Sequence, residues 1–416
     1  METKSVKIFP GELNGDIYIY GAKNAVLKYL AASILTDESV RIDNYPKNML
    51  DVCLHEEMLE HLGKHITKFE DSVMVEGAVT TSELLWEKRS IRNTLLILGA
   101  LLTKTGYGKV PLPGGCKLGD RKYDIHIGLM EAMGAKVWEE DNYLCAKSES
   151  RMHGCEYYLP IRSTGATENA LIMGSLAEGI TKIWNPHIRP EILDLVFFLT
   201  KLGAKIKVNG QESIVINGVK KLNNATRHKS KGDNMQALTY LMMGGIAGKE
   251  LYIHNFPFED LEVPLMFLRF SGLKYFKNEQ DLIVRKCGQY PLDISTGPYP
   301  GINSDMQPIM AVWASLAKGI STITDLRFVG RYGYANEMRK MGVVTEVQDN
   351  KLIIHGGNNI VGSEVTAIDL RAGAALLLLS LIADSPTLIK DFWMIERGYD
   401  DIINVLKSIG VNLISE

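Results

Sequence analysis

The sequence predicts an α/β protein made of six copies of one structural unit, three in each of two domains. A glycine ends a helix-like segment about every 70 residues, at Gly63, Gly134, Gly203, Gly272, Gly342 and Gly410. A second series of helix-length segments, rich in small residues, recurs with the same period. The length of 416 residues suits two or three domains, and six units divide evenly between two.

Each unit is expected to contain a buried helix, a second helix and short strands. The buried helices are expected to start near Ala22, Arg92, Gly165, Asp233, Asp305 and Arg371. Because these segments are apolar nearly all round, they indicate helices that are covered on every side. The glycine that ends each second helix predicts a left-handed cap, since glycine adopts a positive φ without strain. A β-rich run follows, as at residues 136–138 after Gly134.

Composition and charge narrow the class of protein. A net charge of -3 gives no reason to expect a nucleic acid or an anionic membrane as partner. The N-terminal residues show no secretory signal, and the longest apolar stretch, residues 372–383, is too short to span a bilayer. The five cysteines are odd in number and scattered, which favours free thiols in the cytoplasm. No obligate protein partner is evident.

Residues 111–121 have the composition of a loop, with two prolines, three glycines and Asp120. Cys116 lies in this segment close to Lys117 and Arg121. Neighbouring cations favour the thiolate, so Cys116 is a candidate reactive cysteine. The alternative is a cysteine that packs beneath a turn, and composition alone gives the two about equal weight because free cysteine is usually a buried small hydrophobe.

Asp305 lies where a loop of prolines and glycine meets the start of the fifth small-residue helix. A carboxylate at this place could act as a general base. The more ordinary role is a helix N-cap, since aspartate is a preferred capping residue. Both interpretations stay open at this point.

Cations recur at corresponding places in the units. Lys23, Arg92 and Arg371 lie at the starts of small-residue helices, where a cation opposes the helix dipole and needs another reason to be present. Three more lie in loops or at element ends, namely Arg121, Arg331 and Arg397. A shared anionic ligand with phosphate or carboxylate groups would supply that reason; scattered surface charges are the alternative. No Walker loop, GxGxxG, HExxH or CxxC motif is present, so no metal, nicotinamide cofactor or ATP is expected.

Several segments together resemble the enolpyruvyl transferases, the EPSP synthase family, over essentially the whole chain. They are residues 21–25, 112–116, 121–124 with His126, 165–169, 299–301 with 305–307, 369–372 and 396–399. The resemblance implies a two-domain inside-out α/β barrel with helices inside and sheets outside. It also implies that residues 22–229 form the domain with the cysteine loop, that residues 1–21 and 230–416 form the other, and that the active site lies in the cleft between them.

The resemblance implies an enzyme without a cofactor. It would transfer the enolpyruvyl group of phosphoenolpyruvate to the 3-hydroxyl of UDP-N-acetylglucosamine and release phosphate. That reaction is the first committed step of peptidoglycan synthesis. The two substrates are therefore the expected partners, and the epoxide fosfomycin is the expected inhibitor.

Residue roles follow from the resemblance alone. Asp305 would take the proton from the sugar hydroxyl, and Cys116 would donate a proton to phosphoenolpyruvate or assist phosphate release. Phosphoenolpyruvate would be bound by Lys23, Arg121 and Arg397, with Arg92 and Arg371 nearby. The nucleotide sugar would be held by Asn24, Arg92, Arg121, Lys122, Tyr123, Asp124, Ile125, Ser163, Thr164, Gly165, Asp305 and Arg327.

Five positions depart from the family pattern and concern the acceptor. The chain has Lys122-Tyr123 where Pro-Val is usual, Arg327 where a branched apolar residue is usual, Gly330 where Asn is common, and Gln236 in place of an acid. A relative in nucleoside-antibiotic pathways uses uridine monophosphate, which is the alternative acceptor. A non-catalytic sensor of nucleotide sugars is a further alternative, although a sensor needs neither the acid nor the base.

Overall fold

A computed structural model describes residues 4–114, 123–328 and 330–415 of the chain. The chain divides into two compact units, each larger than the repeats of about 70 residues described above. The mid-chain unit is Gly21–Lys231, and the terminal unit combines Met1–Tyr20 with Gly232–Glu416. The α/β class predicted from the sequence is confirmed; the four-stranded sheets are mixed and the three-stranded sheet is antiparallel.

From α1 to α11 the helices alternate between the two kinds that the sequence predicts, and the short α12 is an addition before α13. In chain order they are α1 (Lys23–Ala32), α2 (Leu50–His61), α3 (Thr94–Thr105), α4 (Asp124–Ala132), α5 (Thr164–Leu176), α6 (Pro190–Leu202), α7 (Asn234–Ala247), α8 (Glu262–Phe270), α9 (Gln307–Leu316), α10 (Tyr334–Lys340), α11 (Leu370–Ser380), α12 (Trp393–Glu396) and α13 (Ile402–Ser408). Every residue of α7 and α11 is buried, which confirms for these two helices the prediction of a helix covered on all sides.

Short strands lie before, between and after the helices. In chain order they are β1 (Val6–Ile8), β2 (Leu13–Tyr18), β3 (Val40–Asp43), β4 (His65–Lys68), β5 (Ser72–Glu76), β6 (Tyr107–Pro111), β7 (Ala135–Glu140), β8 (Tyr143–Ser148), β9 (Glu156–Tyr158), β10 (Ile180–Trp184), β11 (Lys205–Asn209), β12 (Ser213–Asn217), β13 (Thr226–Lys229), β14 (Gly248–His254), β15 (Tyr275–Asn278), β16 (Asp281–Val284), β17 (Asp293–Ser295), β18 (Gly319–Thr324), β19 (Val344–Gln348), β20 (Lys351–Gly356), β21 (Glu364–Thr366), β22 (Thr387–Lys390) and β23 (Leu413–Ser415).

Within the described ranges, each unit holds three sheets. Those of the mid-chain unit have the strand orders β13-β3-β5-β4, β6-β8-β7 and β11-β12-β10-β9. Those of the terminal unit have the orders β15-β16-β14-β2, β17-β18-β20-β19 and β21-β22-β1-β23. Each four-stranded sheet has one parallel pair at an edge and antiparallel pairs elsewhere.

Strands from distant parts of the chain complete three of these sheets. β13 pairs with β3 in parallel, with His228 opposite Ile42. β2 pairs with β14, with Ile17 opposite Ile253, and β1 pairs with β22. The N-terminal strands thus belong to the sheets of the last three repeats, and the strand at the end of the third repeat belongs to the first.

The predicted glycine caps are confirmed at all six positions. Gly63, Gly134, Gly203, Gly272, Gly342 and Gly410 have φ values between 88° and 112°. Each of these glycines ends the second helix of a repeat and is followed within three residues by a strand. A side chain at such a φ would be strained, so the period read from the sequence reflects a backbone requirement. Across the described part of the chain, no helix has the length and apolar character needed to cross a membrane.

Candidate active site

Lys23 begins α1 in the mid-chain unit and is 9% exposed. Its ammonium nitrogen lies 3.3 Å from Oδ2 of Asp51, near the start of α2. The other oxygen of Asp51 accepts a hydrogen bond from Nη2 of Arg89 at 2.5 Å. The buried Asp51 carboxylate therefore compensates two cations, one of which faces the unfavourable end of a helix dipole.

Two further predicted ligand residues lie at the starts of buried helices, Asn24 in α1 and Arg92 just before α3. Arg92 is half-buried two residues before α3, and burial lowers the pKa of its guanidinium. Asn24 is the second residue of α1 and is half-buried. Both predicted ligand residues thus belong to the N-terminal turns of the buried helices, where backbone N–H groups also favour an anion.

The geometry in the terminal unit argues against Asp305 as a helix cap. The short 3₁₀ turn at Ser304–Met306 is capped by Asn303, whose side chain accepts a hydrogen bond from the Asp305 amide at 3.1 Å. The N-cap of α9 is Met306, which makes no side-chain cap. The Asp305 carboxylate instead meets Nη1 of Arg331 at 2.8 Å.

Arg371 approaches the other oxygen of Asp305. Its Nε lies 3.8 Å from Oδ2 of Asp305, and its guanidinium carbon lies 5.9 Å from the centre of the Tyr399 ring. Arg371 is 4% exposed, and among the described residues neither its Nε nor its Nη1 finds a hydrogen-bond partner. A buried guanidinium with unmatched N–H groups is costly unless an anion satisfies them. Arg397, at the end of α12, is also buried.

The residues predicted to hold the nucleotide lie at two other helix starts. Tyr123 precedes α4 and donates a hydrogen bond to Glu139, and burial raises the pKa of its phenol to about 12. Asp124 is exposed, whereas Ile125 packs against the core. Ser163 caps α5 by accepting from the amide of Ala166 at 3.4 Å.

Thr164 and Gly165 form the first turn of α5. The Thr164 hydroxyl lies 2.8 Å from Nδ1 of His187. A β-carbon on Gly165 would approach Nε2 of the buried His126 to 3.1 Å, so glycine permits a close approach there. Both residues therefore have a structural role in addition to the predicted ligand role.

Three predicted site residues, Cys116, Arg121 and Lys122, lie outside the described residues. Arg327 is exposed, with its guanidinium carbon 5.4 Å from the centre of the Phe328 ring. The structure thus brings Asp305 together with Arg331 and Arg371 in one unit, and places Lys23 against Asp51 in the other. The predicted grouping of all these residues around one ligand stays a prediction.

Sequence reasoning missed three acidic or basic residues that support the site. Asp51 pairs with both Lys23 and Arg89, and the buried Asp325 accepts a hydrogen bond from Ser304, the residue before Asp305. In the sequence Asp51 is an acidic residue in the first turn of a helix. Such residues are favourable at any helix start, so its position gives no sign that it pairs with Lys23. Nothing local distinguishes Asp325 from a turn residue after a strand. In the part of the chain that the structure describes, no cluster of three or more His, Cys, Asp and Glu could hold a metal ion.

Comparison with known proteins identifies the family. A profile of the family described as EPSP synthase (3-phosphoshikimate 1-carboxyvinyltransferase) matches residues 9–406. The chain belongs to the EPSP synthase family. Family members similar to it include the UDP-N-acetylglucosamine 1-carboxyvinyltransferases of Finegoldia magna, 35% identical over 410 residues, and of Gluconacetobacter diazotrophicus, 36% identical over 406 residues. In both cases 96% of this chain and 96% of the relative are covered.

Solved structures in the family share the fold. The enolpyruvyl transferase NikO from Streptomyces tendae matches with a TM-score of 0.90 at 23% identity, over 99% of each chain. An EPSP synthase from Acinetobacter baumannii matches with a TM-score of 0.77 at 15% identity, again over 99% of each chain. At these identities the likeness supports the fold, and the named sequence relatives carry the argument about chemistry.

Proposed function

We propose that this protein transfers the enolpyruvyl group of phosphoenolpyruvate to the 3-hydroxyl of UDP-N-acetylglucosamine and releases inorganic phosphate. Relatives of that name share 33–36% of its residues over nearly its whole length. The observation that carries the proposal within the site is the contact between Asp305 and the buried guanidinium groups of Arg331 and Arg371. This arrangement provides a base beside a cationic pocket.

The chemistry needs both features. As the sugar oxygen bonds to C2 of phosphoenolpyruvate, Asp305 takes the hydroxyl proton and a second proton adds to the methylene carbon. The tetrahedral adduct then gives up one of its three methyl protons to a base as the C2–O bond to phosphate breaks, which restores the double bond and releases inorganic phosphate. Lys23, Arg121 and Arg397, with Arg92 and Arg371 nearby, would bind the phosphate and carboxylate, because charge-assisted hydrogen bonds to cations hold anions tightly. Cys116 is proposed as the acid on the resemblance alone.

The proposal includes the finer architecture and the setting. We infer an inside-out arrangement in each unit, with helices inside and sheets outside, and the complete burial of α7 and α11 supports it. Residues 22–229, and residues 1–21 with 230–416, would be the two catalytic domains. The reaction would take place in the cytoplasm, as the odd and scattered cysteines predict.

One assay tests the function. Phosphate release from phosphoenolpyruvate is measured with UDP-N-acetylglucosamine, with uridine monophosphate and without acceptor. We expect the highest kcat/KM with UDP-N-acetylglucosamine. A higher value with uridine monophosphate would keep the reaction type and refute the acceptor, whereas binding of a nucleotide sugar without any phosphate release would favour the sensor.

The exposed Arg327 is the residue that favours the second acceptor. Its charge could bind a phosphate of the nucleotide, or its bulk could occupy the space of the N-acetyl group. Arg327→Val restores the branched apolar residue that is usual in the family. If Arg327 selects a smaller acceptor, this substitution should increase the ratio of kcat/KM for UDP-N-acetylglucosamine over uridine monophosphate, and an unchanged ratio would contradict that role.

A further inference from the structure

Asp325 is a fully buried carboxylate that the proposed reaction does not use directly. It follows β18 and is 0% exposed. A buried ionised group is tolerated only when hydrogen-bond donors satisfy it. Among the described residues Asp325 has five such donors, and they come from three separate segments of the terminal unit.

The two oxygens of Asp325 serve different segments. Oδ2 accepts from the Ser304 hydroxyl at 2.5 Å and from the Gln307 side-chain amide at 2.6 Å, one residue before and two residues after Asp305. Oδ1 accepts from the backbone N–H groups of Arg327 and Phe328 at 2.9 and 3.0 Å. The fifth donor, the hydroxyl of Thr296, also binds Oδ1, at 2.7 Å.

Ser304 extends this network to the proposed base. Its hydroxyl donates to Asp325 and accepts from Nη1 of Arg331 at 3.0 Å, and the same nitrogen contacts Asp305 at 2.8 Å. Ser304 donates its single hydroxyl proton to Asp325. Its oxygen lone pairs therefore accept the hydrogen bond from Arg331. A chain of contacts runs from Asp325 through Ser304 and Arg331 to Asp305.

We propose that Asp325 is a positioning residue that fixes both the base Asp305 and the segment bearing Arg327. Through Oδ2 and Ser304 it orients Arg331 against Asp305. Through Oδ1 it holds the turn of Arg327, the residue implicated in acceptor choice. The inference rests on the proposed function, because it concerns how the base Asp305 and the segment of Arg327 are held in position relative to each other.

Three variants separate positioning from simple stabilisation. Asp325→Asn replaces one accepting oxygen by an NH2 group that faces hydrogen-bond donors. It therefore weakens the contacts to Ser304 and Gln307 and those to the Arg327 turn. Ser304→Ala removes the hydroxyl that joins Asp325 to Arg331, so both of its hydrogen bonds are lost while the other donors to Asp325 remain. Thr296→Val is the matched control, since it removes one donor to Oδ1 and the acceptor of the Leu326 amide but leaves the contacts of Ser304 and Arg331 in place.

Kinetics give the first test. We expect kcat to fall about 10- to 100-fold in Asp325→Asn and about tenfold in Ser304→Ala, with the KM of phosphoenolpyruvate within about threefold of wild type, since misplacing a catalytic group impairs the transition state more than binding. Thr296→Val should lower the melting temperature by about 2–4 °C and keep kcat within about twofold of wild type. Equal kcat in Ser304→Ala and wild type would overturn the proposal.

A second measurement does not depend on turnover. The guanidinium ¹⁵N signals of Arg331, assigned by their loss in Arg331→Lys, report whether that group is held. Ser304→Ala and Asp325→Asn should average the two Nη signals through faster rotation, and Thr296→Val should not. Unchanged Arg331 signals in both variants would overturn the inference even if the wild type proved inactive, a result that would instead refute the proposed function.

Discussion

Replacing Asp305 by Asn distinguishes a base from a cap. The substitution keeps the volume of the side chain and removes its charge beside Arg331 and Arg371. A general base contributes about 10²–10⁴-fold to rate, which corresponds to about 3–5 kcal/mol in the barrier. We therefore expect kcat to fall by that factor while UDP-N-acetylglucosamine still binds within about tenfold of its wild-type affinity.

The effect on stability follows from the contacts. Breaking a buried ion pair costs about 3–5 kcal/mol, but the Asp305 side chain is 31% exposed and Arg331 keeps its bond to Ser304. A loss of about 1–2 kcal/mol is therefore expected, at or below the lower end of the roughly 1.5–3 kcal/mol of one charge-assisted hydrogen bond. The reference variant is Asn303→Ala, which removes the observed cap and should cost about 1 kcal/mol while keeping most of the rate.

Phosphate release, calorimetric binding of the acceptor and melting temperature are measured on both variants. The reasoning predicts a large loss of rate in Asp305→Asn only. If Asp305→Asn keeps more than a tenth of the wild-type kcat, Asp305 is not the base, whatever its effect on the melting temperature.

Three further predictions concern other residues. Arg371→Gln should lower kcat/KM for phosphoenolpyruvate about 10- to 100-fold, since one charge-assisted hydrogen bond contributes about 1.5–3 kcal/mol; a change below threefold would exclude Arg371 from the anion site. Burial raises the pKa of Glu168 to about 7, so the native state binds a proton more tightly than the unfolded chain and loses about 3 kcal/mol as pH rises from about 4.5 to 7. The stability of Glu168→Gln relative to wild type should therefore increase between pH 5 and pH 8, and a constant difference in melting temperature would contradict this. Fosfomycin should inactivate the wild type by alkylating Cys116, and Cys116→Asp should keep measurable phosphate release and escape; full sensitivity of that variant would show another target.

Much of the fold is determined by local sequence. The glycines that follow the second helices have to adopt a positive φ, which most other residues adopt only with strain, so the period of about 70 residues is visible in the chain itself. The small-residue helices can also be predicted from the sequence, because a helix that is apolar on all sides has to be buried. The candidate residues Asp305, Arg371 and Lys23 could also be found, since each has a charge at a place where a helix start makes it conspicuous.

Only the tertiary structure decided which partners these charges have. Asp305 could have been a cap from its sequence position, and the backbone geometry gives that role to Asn303. Asp51 and Asp325 are separated from their partners Lys23 and Ser304 by about 20 to 30 residues, and no local pattern encodes those contacts. Likewise β1, β2 and β13 join sheets far away in sequence. Periodicity specifies which face of an element is buried, whereas hydrogen-bond partners depend on which elements the folded chain brings together.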